Sequence, residues 1–186
     1  LAAGDFDANG TADLAVGAIY ADRDATRCPT DETNSGAVYI LNDFFLGLVL
    51  TGSGAQPWNP DPYAFTLWGD AAWDELGFGL ATARVNDDDA DDLIVTARKH
   101  DRAFEVDQVD EGAAYVFYGP VVTFAPGSSC LACTDDECST WDPQTGIGAM
   151  IFGGDYDTTS QSSDEIGFSV AAGDFNGNAT FDDIVV

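Results

Sequence analysis

The chain is poor in cations. Across 186 residues it has 6 Lys and Arg against 33 Asp and Glu, for a net charge of −27. Lys99, His100 and Met150 are each the single residue of their kind. A field of that sign repels nucleic acid and anionic membrane, so neither is expected as a partner. Glutamate is scarce as well, with 6 Glu against 27 Asp. Glu suits helices, whereas Asp suits turns, caps and oxygen-rich metal loops. The imbalance points to a loop-rich β protein that attracts cations, calcium among them. A salt-adapted acidic surface is the competing reading of the same composition. Long apolar runs are missing too. The longest, 44–50, has seven residues including Gly47, too few to span a bilayer. No basic leader precedes Leu1, and Ile184-Val185-Val186 ends without a closing turn. Both ends are expected to be cuts in a longer polypeptide.

Motifs for catalysis are also lacking. There is no GxSxG, HExxH or glycine-rich phosphate loop. Carboxylates abound, but they fall in a metal-loop pattern and not as a separated acid and base. The expectation is a protein without an active site. Disorder is excluded by 45% hydrophobic and 12% aromatic residues.

What is present is an internal repeat. Leu1–Ala18, with its Gly-Asp-Phe-Asp-Ala-Asn-Gly core, returns at 80–97 and again at 170–186, where the loop carries one extra residue. Ser35-Gly-Ala-Val-Tyr-Ile40 returns as Glu111-Gly-Ala-Ala-Tyr-Val116, and Asp74-Glu-Leu-Gly-Phe-Gly79 as Asp164-Glu-Ile-Gly-Phe-Ser169. Phe65-Thr-Leu-Trp-Gly-Asp70 resembles Met150-Ile-Phe-Gly-Gly-Asp155. Short apolar segments separated by Gly, Asp, Asn and Pro read as four strands per unit. In the central unit they fall near 76–83, 93–97, 112–118 and 147–152. Four strands per repeat at this period predict an all-β fold of β-propeller blades with four antiparallel strands each. The units run over 1–75 and 76–165, with the start of a third at 166–186. About two blades cannot close a ring, so this single domain is expected to be part of a larger one.

The strongest chemical signal is Asp5-x-Asp7-x-Asn9-Gly10-x-x-Asp13. Alternate residues of a tight turn aim their oxygens at one point, Asp13 closes the cage from the next strand, and the Thr11 carbonyl is a natural further ligand. Hard oxygen donors in this number suit Ca²⁺. An EF-hand would need a Glu at position twelve and flanking helices. The competing reading is an Asp-rich turn without an ion. The third copy offers Asp174, Asn176, Asn178 and then Asp182 or Asp183, the alignment of Ile184 with Leu14 favouring Asp183. Its Asn178-Ala-Thr180 sequon would set a glycan against a metal. The middle copy begins on Arg84, followed by Asn86, Asp88 and Asp92. Either neighbouring Asp87 and Asp89 rescue a weak site, or the Arg84 guanidinium fills the cage as a built-in cation.

The loops after the second strand of each unit, 19–34 and 98–110, fall on the face opposite the Asp loops. They hold Arg23, Arg27, Arg98, Lys99 and Arg102, five of the six basic residues, with His100. Arg23, Arg98, Lys99 and Arg102 are candidates for binding an acidic protein or a glycan. Local pairing with Asp22, Asp24, Asp101 and Asp107 is the alternative. Trp58, Trp73 and Tyr156 sit in polar loops, where they stack on sugars or cap the core. Cys28 stands apart from Cys130, Cys133 and Cys138. Zinc lacks a fourth ligand there, and Asp135, Asp136 and Glu137 disfavour thiolates. Disulfides in an oxidising compartment are expected, in any of three pairings.

Phe78-Gly79, the Asp loops and Val16-Gly17-Ala18 together resemble the FG-GAP repeat of integrin α-subunit propellers and of bacterial surface and secreted proteins. The resemblance covers nearly the whole chain outside the long loops at 19–34, 43–62, 98–110 and 119–145. It implies a seven-bladed ring with structural calcium at Asp5, Asp7, Asn9 and Asp13, and at Asp174, Asn176, Asn178 and Asp183. Arg84 and the extra residue near Thr180 depart from the pattern. The function expected is a non-catalytic module at the cell surface or outside the cell, adhering to a protein, a glycan or other copies of itself. A structural subunit of a fibre or sheath, or a propeller appended to a secreted hydrolase, are the alternatives.

Overall fold

A computed structural model describes residues 1–23, 32–41, 64–69, 71–101, 110–120, 127–130, 147–152 and 164–186. These form an all-β architecture with no helix among the described residues. In chain order the strands are β1 (Ala2–Gly4), β2 (Asp13–Ala18), β3 (Ala37–Leu41), β4 (Ala64–Trp68), β5 (Leu76–Ala83), β6 (Asp92–Ala97), β7 (Ala113–Phe117), β8 (Gly127–Cys130), β9 (Ile147–Phe152), β10 (Ala171–Gly173) and β11 (Asp183–Val185). The first sheet has the order β1-β2-β3-β4 with β8 added outside β4, the second β5-β6-β7-β9, and β10-β11 form a hairpin. Within each unit neighbouring strands are antiparallel, as the repeat predicts, and the four strands of the second sheet fall on the expected segments.

One pairing departs from the expected four strands per unit. β8 comes from the 119–145 segment, and it lies parallel to β4, with Phe65 opposite Gly127 and Trp68 opposite Cys130. Gly-Ser-Ser-Cys carries no apolar alternation, so its sequence gives no strand signal. An edge position needs only main-chain hydrogen bonds, which any residue but proline supplies.

The core lies between the sheets. Leu93, Val95 and Ala97 of β6 and Tyr115 and Phe117 of β7 pack on Phe6, Val38, Ile40 and Leu67 of the first unit. The alternate residues, Ile94 and Val116, face Val170, Ala172 and Ile184 of the third unit. β6 and β7 are therefore buried on both faces, and each carries a continuous apolar stretch, Leu93-Ile94-Val95 and Ala113-Ala114-Tyr115-Val116-Phe117. β2 is covered less completely, and only alternate residues, Asp13 and Ala15, are buried at its start.

The units meet through main-chain contacts that repeat along the chain. Gly36 and Gly112 each form a parallel bridge to the strand start of the next unit, at Leu76 and Ile166. Leu76 and Ile166 donate their N–H groups to the carbonyls of Ser35 and Glu111 at 3.0 and 2.9 Å. Both glycines have positive φ, 80° and 81°, and a Cβ would lie 2.3 Å from Leu76 N or 2.1 Å from Ile166 O. Only glycine meets both demands. A second contact differs between the two junctions. At Gly17 a Cβ would lie 2.1 Å from the Gly77 carbonyl oxygen. Its counterpart Thr96 keeps a side chain, accepts the Gly79 N–H and donates to the Gly167 carbonyl, both at 2.7 Å.

Candidate metal centre

The loop between β1 and β2 is organised by its own side chains. Asp5 accepts the N–H groups of Asn9 and Gly10 at 2.9 and 2.8 Å. Asp7 Oδ1 accepts the Asn9 N–H at 3.1 Å, and Asn9 Oδ1 accepts the Thr11 N–H at 2.8 Å. Short polar side chains bonding main chain two residues on are what make Asp and Asn the residues of such turns. Asp13, buried at the start of β2, accepts the Phe6 N–H at 3.0 Å and so closes the loop on itself. The result is convergence: ligand oxygens of Asp5, Asp7 and Asp13 lie within 4.8 Å of one another. Three carboxylates this close repel without a cation, and hard oxygen donors fit a divalent ion such as Ca²⁺.

The third loop repeats the pattern bond for bond. Asp174 accepts the N–H groups of Asn178 and Ala179 at 3.0 and 2.9 Å. Asn176 Oδ1 accepts the Asn178 N–H at 2.9 Å and Asn178 Oδ1 the Thr180 N–H at 2.8 Å. The extra residue leaves two closing acids in the sequence, and the geometry separates them. Asp183 accepts the N–H groups of Phe175 and Asn176, each at 3.0 Å. Asp182 turns to the neighbouring unit, where its Oδ2 accepts the Arg84 N–H at 2.9 Å.

The middle loop keeps only the later part of the pattern. Asn86 Oδ1 accepts the Asp88 N–H at 3.2 Å, and Asp88 Oδ1 the Ala90 N–H at 2.9 Å. Asp92 is fully buried and accepts the N–H groups of Val85 and Gly119 at 2.7 and 2.9 Å. Burial pushes its carboxyl above the ordinary range, against the pull of those two bonds, and the charges of Asp88 and Asp91 push it the same way. The Arg84 guanidinium does not pair with Asn86 or Asp88. Its Nε lies 3.5 Å from Asp91 Oδ1, and its side chain is about half exposed. The built-in cation thus meets an acid outside the expected cage.

The described basic residues of the 19–34 and 98–110 loops are engaged within the fold. Arg23 is buried, donates to the Gly69 carbonyl at 2.7 Å and pairs with Glu32. Arg98 Nε donates to Glu75 at 2.6 Å and its Nη1 to Glu165 at 3.2 Å, with the guanidinium 4.5 Å from the Phe78 ring centroid. Lys99 Nζ meets Glu75 at 3.0 Å, and the buried His100 places Nδ1 3.3 Å from Asp74. Burial alone raises Glu75, but hydrogen bonds and charge from Arg98 and Lys99 outweigh it and hold the carboxyl below its ordinary range. Among the described residues Arg98 and Lys99 pair with these glutamates and not with Asp22 or Asp101; Asp24 and Asp107 lie outside the described residues. The signal was in the repeat of Asp74-Glu75 as Asp164-Glu165. Trp73 is exposed, its N–H donating to the Thr33 carbonyl at 2.9 Å. Arg27, Arg102, Trp58, Tyr156, Cys28, Cys133 and Cys138 lie outside the described residues.

No helix among the described residues is long and apolar enough to cross a membrane. No curated protein matches the chain. Residues 1–41 match the family model of the FG-GAP repeat. That span holds the loop in which Asp5, Asp7 and Asp13 converge, together with β1, β2 and β3. The chain carries an FG-GAP repeat at residues 1–41, within an all-β architecture consistent with a fragment of an FG-GAP β-propeller.

Proposed function

We propose that this chain is part of an extracellular, Ca²⁺-stabilised β-propeller that binds a protein or glycan partner and performs no catalysis. The convergence of Asp5, Asp7 and Asp13 within an FG-GAP repeat is the observation that carries the reading. Asn9 and the Thr11 carbonyl complete the first ligand set, and Asp174, Asn176, Asn178 and Asp183 form the second. Bound Ca²⁺ would neutralise the clustered carboxylates and offset part of the charge of −27. The chain's own residues supply the rest. Asx-type bonds preshape each loop, and the closing aspartate anchors the loop to the strand behind it. Recognition then falls to loops held by a rigid scaffold.

Thermal unfolding with low-millimolar Ca²⁺ and with excess chelator, each at low and high NaCl, tests the reading. A ligand bound only by the native state at 100 times its Kd adds about 2.7 kcal/mol of stability. The midpoint should rise with Ca²⁺ and not with NaCl alone. A gain with NaCl and none with Ca²⁺ would recast the aspartates as salt adaptation.

A fibre or sheath subunit is the second reading, favoured by the exposed Phe168, Phe175, Phe181 and Val185 of the third unit. Large apolar side chains left exposed together on one unit suit an interface between copies. Light scattering should then show a mass that grows with concentration and falls back in a Phe168→Ser, Phe175→Ser double variant. A monomeric mass at every concentration would remove this reading.

A further inference from the structure

We propose that Asp91 is a positioning residue for the ion of the first loop, so that the unit following the loop helps to set the loop's affinity. The inference rests on the calcium reading above. Asp91 stands at the eighth position of the middle loop, just before the closing Asp92. Its Oδ2 accepts the N–H of Asp5, and its own N–H donates to the Asp5 carbonyl, both at 2.9 Å. The two residues are 86 positions apart. Asp91 therefore pins the main chain on both sides of the first ligand. The Asp5 carboxylate is meanwhile oriented by the Asn9 and Gly10 N–H groups. Arg84 pairs with the other Asp91 oxygen and holds the carboxylate at the junction, away from a role as ligand.

The same clasp recurs one unit on. Asp182 Oδ2 accepts the Arg84 N–H at 2.9 Å, and the Asp182 N–H donates to the Arg84 carbonyl at 2.8 Å. There the clasped residue is an arginine, so the device is the same but serves no first ligand. This makes Asp182 an internal control for Asp91. The coupling is also reciprocal: whatever factor Asp91 adds to ion affinity, the ion adds to the clasp between the units.

The test is a Ca²⁺ titration by calorimetry on the whole chain, with Asp174→Ala in the background to silence the third loop and Asp5→Ala to identify first-loop binding. Outer-shell partners of a metal site are worth about 10-fold to 100-fold in affinity, and Asp91→Ala should weaken the first loop by that much. Asp91→Asn keeps an acceptor for the Asp5 N–H and should retain most of the affinity. Asp91→Leu fills the space without an acceptor and serves should alanine fail to fold. Asp182→Ala should leave first-loop affinity unchanged. In the reciprocal readout, amide exchange at Asp5 should slow on adding Ca²⁺ in the Asp174→Ala chain and not when Asp91→Ala is added to it. Wild-type affinity in both Asp91→Ala and Asp91→Leu would overturn the inference, as would an equal loss in Asp182→Ala, which would signal general loosening. If Asp5→Ala removes no binding, the calcium reading fails and this inference fails with it.

Discussion

Replacing Arg98 with alanine should cost about 3 kcal/mol of folding stability near neutral pH, the lower end for breaking a buried ion pair by removing one partner. Glu75 is 3% exposed and loses its shortest contact, at 2.6 Å, while Lys99 remains beside it at 3.0 Å. Glu165 loses its contact with Arg98, and Phe78 loses the guanidinium over its ring. The pH dependence identifies the cause. Glu75 is held below its ordinary value of 4.5. A carboxyl depressed in the folded state contributes stability above its unfolded pKa and loses it as pH falls through the folded one. Without Arg98, burial works against the carboxylate with only Lys99 to oppose it. The gap between variant and wild type should therefore be widest near neutrality and close only as pH falls below 4.5, through the depressed folded value. Urea unfolding of both proteins across that range measures it. A gap that is constant with pH would assign the loss to packing of the Arg98 stem and not to the charge on Glu75.

Phe6→Ala should cost about 3–5 kcal/mol, the usual range for truncating a buried phenylalanine. Phe6 is 1% exposed and lies among Ile40, Phe65, Leu67, Leu93 and Phe117, where the first two sheets meet. The equivalent residue of the third loop, Phe175, is 60% exposed. Phe175→Ala in this chain should change stability by less than about 0.5 kcal/mol. Equal sequence position thus predicts unequal energy, because a neighbouring sheet covers one ring and not the other. Chemical denaturation in excess chelator makes the comparison, so that ion occupancy does not enter. Comparable losses in the two variants would show that the ring acts within its own loop and not at the seam.

Much of this architecture was legible in the chain. The repeat located β5, β6, β7 and β9, because short apolar segments punctuated by Gly and Asp are local signals. The spacing of Asp5, Asp7 and Asp13 likewise marked three oxygens that the turn brings together. What stayed hidden depends on distant partners. Nothing near Gly127 announces a parallel strand on β4. Arg98 finds Glu75 and Glu165, which are 23 and 67 residues away, and proximity in sequence pointed instead to Asp101. Asp91 carried no sequence signal at all, and Asp182 looked like a rival closing ligand. Their service to Asp5 and Arg84, 86 and 98 residues away, appears only once the units are side by side.

The unequal contact at Gly17 and Thr96 bears on how such a chain can be recombined. Duplication produces identical units, and identical units can be shuffled, deleted or added at will. Here the first junction leaves 2.1 Å for a Cβ at Gly17, while the second seats the Thr96 hydroxyl between two main-chain groups at 2.7 Å. A copy of the second unit transplanted into first place would bring a threonine to where no side chain fits. Each seam has diverged to suit its own neighbours, so the order of the units is itself encoded. A gene that gains or loses a repeat at this point must also repair the seam.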